Sequence, residues 1–226
     1  SLDDLTSQHV RLLDEGSRLG RVHVLLWSDA VVRQNTGHAP HFPEQERLYV
    51  LDALRYVSQV TLVRELSRDG VPTALADLHP DIWAMPADEE SSARRHFCAA
   101  HGITCHAFTP SDLQGFPELG DSLLRSASGR KRAIVTGCFD WLHSGHVRFF
   151  EEVSSLGDLY VVVGHDANVR LLKGEGHPLF PQAERRYMVQ AIRYVTRALV
   201  SSGHGWMDAE PEIAWLKPDL YVVNED

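Results

Sequence analysis

Two histidines, His143 and His146, close the string Ala133-Ile-Val-Thr-Gly-Cys-Phe-Asp-Trp-Leu-His-Ser-Gly-His146. Ala133-Ile134-Val135 is a short apolar run of the kind a buried parallel strand needs. It stops at Thr136-Gly137, where Gly137 permits a tight turn and lets a ligand come close to the backbone. The segment from His143 to Phe150 then begins a helix. Three residues apart, the two imidazoles share one face of its first turn, beside unpaired backbone N–H groups at the positive end of the helix dipole. That set suits a phosphate. Lys173-Gly174, between two later strand–helix units, adds an ammonium group of the same affinity.

The elements needed to hold these residues follow from periodicity. A helix from Ser144 to about Leu156 ends at Gly157, which reads as a C-cap. Leu159–Val163 is a buried strand, with Gly164-His165-Asp166 at its C-terminal edge. Lys173–Pro178 reads as a loop, and Pro181 opens a helix through about Tyr194, with Tyr187, Val189 or Met188, Ile192 and Val195 spaced for burial. Strands over Arg197–Ser201 and Asp219–Val223 flank a helix over Pro211–Leu216. This βα alternation predicts an α/β fold with a doubly wound parallel sheet, its ligands beyond the strand C-termini where the strand order reverses.

Composition limits the alternatives. The chain has 226 residues, 43% hydrophobic and 23% charged, with a formal net charge of −9. The acidic balance argues against broad nucleic-acid binding. Three cysteines (Cys98, Cys105, Cys138) make no even disulfide framework and fit a reducing cytosol; their spacing suggests no zinc site. No apolar run reaches transmembrane length and no signal-peptide pattern is present, so a cytoplasmic protein without a transmembrane segment is expected.

The chain also aligns with itself. Leu5-Thr-Ser-Gln-His-Val-Arg11 matches Leu142-His-Ser-Gly-His-Val-Arg148. Without a gap, Leu19, Gly20, Val24, Asp29, Ala30, Arg33 and Gly37 match Leu156, Gly157, Val161, Asp166, Ala167, Arg170 and Gly174. One residue of offset later, Arg47 matches Arg185, Arg55-Tyr-Val57 matches Arg193-Tyr-Val195, and Leu78-His-Pro-Asp81 matches Leu216-Lys-Pro-Asp219. The expectation is a tandem duplication: a first domain over 1–125, a linker over 126–131 rich in small and basic residues, and a second domain over 132–226. Judged against each other, both copies read as clipped, the first lacking a counterpart of Ala133–Gly137 and the second a counterpart of Glu89–Arg125.

The string G-x-F-D-x-x-H-x-G-H over Gly137–His146 resembles the signature of the cytidylyltransferase-like nucleotidyltransferases. The resemblance covers most of Arg132–Asp226 and, more weakly, Leu2–Asp88. It implies two tandem Rossmann-like nucleotidyltransferase domains, a layout similar to that of ethanolamine-phosphate cytidylyltransferases. It also implies transfer of a nucleoside monophosphate, CMP from CTP first and AMP from ATP as the alternative, to a small phosphorylated or phosphonate alcohol. Pyrophosphate leaves, and Mg²⁺ arrives on the triphosphate rather than on protein ligands. Position by position, His143, His146 and Lys173 take the catalytic roles. Gly137, Cys138, Phe139, Asp140, Gly145, Asp166 and Arg185 fall at nucleotide-binding positions, and Trp206 lines the acceptor pocket. Arg185 recurs as Arg47, which fits a structural ion pair as well as a ligand contact; Asp166 recurs as Asp29 and fits a turn cap. The resemblance is compatible with a homodimer.

The first copy departs where charge is needed. Thr6 stands for the first histidine, Gln8 for the motif glycine and Thr36 for Lys173, while His9 survives. It reads as a non-catalytic copy. The chain stops at Asn224-Glu-Asp226, before the R-x-x-x-I-S-T-T-like segment that the resemblance places after the last strand. A different class, a nucleotide-binding or scaffolding protein that turns nothing over, is the alternative that the intact His143/His146/Lys173 set argues against.

Overall fold

Apolar runs alternating with amphipathic stretches become eight strands and nine α-helices among the described residues. The structure, a computed structural model, describes residues 2, 4–119 and 129–224. The first half of the expected linker, Ser126–Ser128, with Gly120–Arg125 before it, lies outside those residues. The chain divides into two units, Ser1–Asp52 with Tyr56–Gly115, and Ala53–Arg55 with Phe116–Asp226. The expected boundary therefore shifts: residues 116–119 group with the second unit, as do Ala53–Arg55, where Leu54 forms an antiparallel bridge with Ile192.

The first unit runs α1 (Ser7–Leu19), β1 (Val22–Trp27), α2 (Asp29–Thr36), α3 (Glu44–Asp52), β2 (Val57–Val63), α4 (Ala74–Leu78), β3 (Ile82–Pro86), α5 (Ser92–His101) and β4 (Thr104–Phe108). Its strands form two separate parallel pairs, β1 with β2 and β3 with β4. Among the described residues no strand bridges the two pairs.

The second unit runs β5 (Arg132–Gly137), α6 (Ser144–Leu156), β6 (Asp158–Val163), α7 (Asp166–Lys173), α8 (Gln182–Gln190), β7 (Val195–Val200), a 3₁₀ turn (Gly205–Met207), α9 (Glu210–Leu216) and β8 (Leu220–Tyr221). All four strands are parallel, in the order β7-β6-β5-β8. The chain moves outward from β5 through β6 to β7, then returns to the other side of β5. The crevice where that direction reverses is where ligands of open α/β sheets bind. β6 is buried along its whole length, as a central parallel strand should be. Ile134, Val135, Phe150, Leu159, Val161, Val189 and Ile192, all fully buried, fill the core on which the β5 turn rests.

Three expectations need correction. The expected loop begins one residue later than Lys173, which closes the helix α7 over Asp166–Lys173, a stretch to which the sequence assigned no element. α8 stops at Gln190 instead of Tyr194, and β7 starts at Val195, two residues before the expected strand. Gly157 is the C-cap of α6, as expected, with an extended φ of 176°; glycine is needed there because a Cβ would collide with the Lys131 carbonyl.

Candidate functional site

The β5 turn is shaped by two glycines and one strained residue. Phe139 has φ +50°, a left-handed conformation uncommon for an aromatic residue. Its ring folds back over Gly137, where an added Cβ would lie 2.9 Å from the ring. The same ring meets His146 edge-on at 5.4 Å and Phe150 at 5.3 Å, tying the turn to the first turns of α6.

α6 starts on the histidine pair itself. His143 is the N-cap, its Nδ1 accepting from the Gly145 N–H at 3.1 Å, and its own N–H donates to His146 Nδ1 at 3.4 Å. The two rings lie 3.9 Å apart. Gly145 makes this possible, since a Cβ there would meet the His143 ring at 2.9 Å. With Nδ1 of each ring accepting a backbone N–H, the neutral tautomer carries its proton on Nε2. Desolvation, then the neighbouring His143 and Lys173, push the His146 pKa down to about 4. At neutral pH His146 is therefore an uncharged Nε2–H donor.

Lys173 is the last residue of α7 and is exposed, a helix end rather than the expected loop. Its charge is felt at both His146 and Cys138. Burial raises the Cys138 thiol above its ordinary value, against Lys173 and Arg185, so this residue offers no ready thiolate.

Asp140 lies in the same turn but faces the loop after α7. It accepts from the Leu179 N–H at 2.7 Å and the Phe180 N–H at 3.1 Å, and His177 Nδ1 donates to it at 3.2 Å. Desolvation raises its carboxyl, but these donors and the Arg185 charge outweigh it and hold Asp140 below the usual carboxylate range. Asp140 thus clamps the Lys173–Phe180 connection onto the turn after β5, and His177, to which the sequence assigned no role, is part of the clamp.

Arg185 sits beneath the site, 1% exposed. It donates to Phe180 O at 2.8 Å, Cys138 O at 2.6 Å, Gly164 O at 2.8 Å and Asp166 Oδ1 at 2.7 Å. A guanidinium with its donors committed in this way braces the turn, as the structural ion pair that the sequence offered beside a nucleotide contact would, and Asp166 is its partner. In the first unit Arg47 donates to Phe42 O, Trp27 O and Asp29 Oδ1 in the same pattern. The same unit keeps the cap of α1, with Thr6 Oγ1 accepting from the His9 N–H and the Thr6 N–H donating to His9 Nδ1. Only one imidazole remains there. Trp206 stands on the 3₁₀ turn after β7, two strands from β5 and 87% exposed. The structure thus gathers Gly137, Phe139, His143, Gly145 and His146 into one cluster with Lys173 near it, and leaves Trp206 at its flank.

Among the described residues, no helix is long and apolar enough to cross a membrane, and no group of three or more His, Cys, Asp and Glu side chains is arranged to hold a metal ion.

The cytidylyltransferase-like family model matches residues 134–225. The bifunctional protein HldE of Methylococcus capsulatus is 39% identical over 111 residues, which make up 48% of this chain and 23% of that protein. An FAD synthase of Ferroglobus placidus is 37% identical over 97 residues, 42% of this chain and 60% of that enzyme. A crystal structure of a lipopolysaccharide core biosynthesis protein from Thermoplasma volcanium is 33% identical, covering 40% of this chain and 71% of that one, with a TM-score of 0.36. The chain spans less than two thirds of the length of either curated relative. All of these matches are to part of the chain, and the matched family segment spans the β5 turn, the histidine pair and Lys173. Residues 134–225 thus form a cytidylyltransferase-like domain, and the relatives that share it are nucleotidyltransferases.

Proposed function

We propose that the second unit transfers a nucleoside monophosphate from a nucleoside triphosphate to a phosphorylated acceptor. An ionised acceptor oxygen attacks the α-phosphorus in line, the bond from that phosphorus to the bridging oxygen breaks, and pyrophosphate leaves with its electron pair. The acceptor oxygen is already deprotonated, so the protein need supply only positioning and neutralisation of the charge spreading over the equatorial oxygens. The observation that carries this reading is the His143/His146 pair, both with Nδ1 occupied by backbone N–H groups and Nε2 left as the donor. The Gly137 turn gives the phosphates access to backbone N–H groups, Lys173 supplies a full positive charge, and Mg²⁺ comes bound to the triphosphate as part of the substrate. Trp206 packs against the acceptor.

ATP is the favoured donor and CTP the alternative. An FAD synthase joins an adenylyl group to its acceptor, and that relative shares the segment holding the histidines; the motif alone pointed first to CTP. Small phosphorylated or phosphonate alcohols remain the acceptors to try first. The first unit serves as a non-catalytic copy that retains the Arg47–Asp29 brace and the helix cap but lacks the second imidazole and the lysine. The test follows pyrophosphate release from ATP and from CTP with Mg²⁺ across a panel of phosphate and phosphonate acceptors. Release that depends on an acceptor and disappears in His146→Ala supports the reading. Tight nucleotide binding without release under any acceptor would instead favour a binding or scaffolding role.

A further inference from the structure

Asn168, one turn into α7, is 1% exposed, and both ends of its amide are taken by one residue. Its Nδ2 donates to Gly205 O at 3.0 Å, and the Gly205 N–H donates to its Oδ1 at 2.7 Å. Two bonds to the N–H and C=O of a single residue fix the orientation of that backbone as well as its position. The surrounding segment is held just as firmly. His165 Nε2 donates to Gly203 O at 2.9 Å, the Gly203 N–H donates to Asp208 O at 2.7 Å, and Ser201 Oγ donates to Asp208 Oδ2 at 2.6 Å. Gly205 has φ +71°, and a Cβ on Gly203 would lie 2.5 Å from Asp208 O, so both positions need glycine.

This rigid, internally bonded backbone carries a side chain it does not cover. Trp206 is 87% and Met207 63% exposed. Polar groups are buried to immobilise the backbone, while the largest apolar side chain on it contributes almost no burial to folding. That division makes sense if the ring is completed by something that arrives from outside, since an aromatic face set in advance costs little entropy on binding. The first unit provides an internal contrast. Val31 aligns with Asn168, Arg68 with Trp206, and the corresponding segment closes differently, through Ser67 N–H to Val71 O and Gly70 N–H to Ser67 O. The amide clasp and the tryptophan are absent together where the second imidazole and Lys173 are absent.

We propose that Asn168 is a positioning residue for acceptor selection: by clasping Gly205 it holds Trp206 as a preset packing face for an acceptor whose non-phosphate part is planar or apolar. The inference rests on the placement of Trp206 beside the acceptor proposed above.

The test uses the full chain with Asn168→Val, Trp206→Ala and the double variant. Amide hydrogen exchange needs no ligand: Asn168→Val speeds exchange over residues 203–208 at least about tenfold, while β5, β6 and α6 keep their protection. Calorimetry with phenyl phosphate and with glycerol 3-phosphate then reads the face itself. Either single variant weakens phenyl phosphate about tenfold, the scale of one lost stacking contact, leaves glycerol 3-phosphate unchanged, and the double variant is no worse than Trp206→Ala. Unchanged exchange, or an Asn168→Val loss that adds in full to that of Trp206→Ala, overturns the positioning role. Weakening by Trp206→Ala but not by Asn168→Val overturns that role and leaves Trp206 in the acceptor site. If Trp206→Ala changes neither probe, or phenyl phosphate does not bind the unsubstituted chain, the acceptor placement of Trp206 or the planar class falls respectively.

Discussion

Arg185 donates to Asp166 at 2.7 Å with 1% of its side chain in contact with solvent, and its other donors hold the carbonyls at the ends of two strand–helix turns. An ion pair alone would not explain such burial. The bonds to Cys138 O and Gly164 O do, because each would otherwise be an acceptor without a partner beneath the site. Arg185→Met should therefore cost about 2–4 kcal/mol of stability, read as a shift in the urea midpoint. Arg185→Lys should recover little of it, since an ammonium cannot span four acceptors in a fork geometry. A variant that keeps full stability and loses only nucleotide affinity would restore the ligand role expected from the sequence.

His146→Ala removes one neutral donor from the proposed phosphate site. By the effect of deleting a single oxyanion donor, turnover should fall about 100- to 1,000-fold. Circular dichroism and the unfolding midpoint check that the loss is chemical. Thr6 and His9, arranged as a similar cap in the first unit, give a control: His9→Ala should leave turnover within about threefold, a far smaller effect than loss of an oxyanion donor.

The His146 imidazole should titrate near pH 4 in the ligand-free chain, followed by NMR of ¹³C-labelled histidine. Lys173→Ala should raise that value, because the lysine is one of the charges lowering it, and a bound triphosphate should raise it further. The folded pKa lies below the unfolded one, so the unfolded chain binds more protons between about pH 6.5 and pH 4. The His146 contribution to stability is thus present above about pH 6.5 and is lost as pH falls toward 4. A ligand-free value near 6.5 would mean that the ring is neither desolvated nor close to Lys173.

Asp140 should matter for the loop rather than for phosphate. Asp140→Ala leaves the Leu179 and Phe180 N–H groups to water and frees His177, costing about 1–2 kcal/mol and exposing the bonds after Lys173 to limited proteolysis. The held-down carboxyl contributes its stability above the ordinary carboxylate range near pH 4, and loses it as pH falls through the folded value below that. Proteolysis of the unsubstituted chain across that range should reproduce the Asp140→Ala pattern only at the acid end.

What the sequence by itself determined is local or periodic. Ala133-Ile134-Val135 before Gly137 defined a buried strand and turn, because an apolar run ended by glycine has few other uses. His143-Ser-Gly-His146 defined the start of a helix and its paired imidazoles, because three-residue spacing puts both on one first turn. Leu159–Val163 defined a central strand through unbroken β-branched and apolar residues. The parallel α/β class and the likeness of residues 134–225 to a cytidylyltransferase-like domain followed from these.

Tertiary structure alone decided which polar residues face ligand and which face backbone. Arg185 read as a ligand contact or an ion pair and Asp166 as a ligand contact or a turn cap, and only the distances from Arg185 to Cys138 O, Gly164 O and Asp166 Oδ1 joined them in a brace. His165, His177 and Asn168 carried no signal, since their partners lie far along the chain, at Gly203, Asp140 and Gly205. α7 was hidden because tertiary burial of Asn168 and Val169, not local propensity, stabilises a helix of eight residues. The physical reason is common to all of these. Periodicity reports which face of an element is buried, whereas the partner of a buried polar group is fixed by chain segments that meet only after folding.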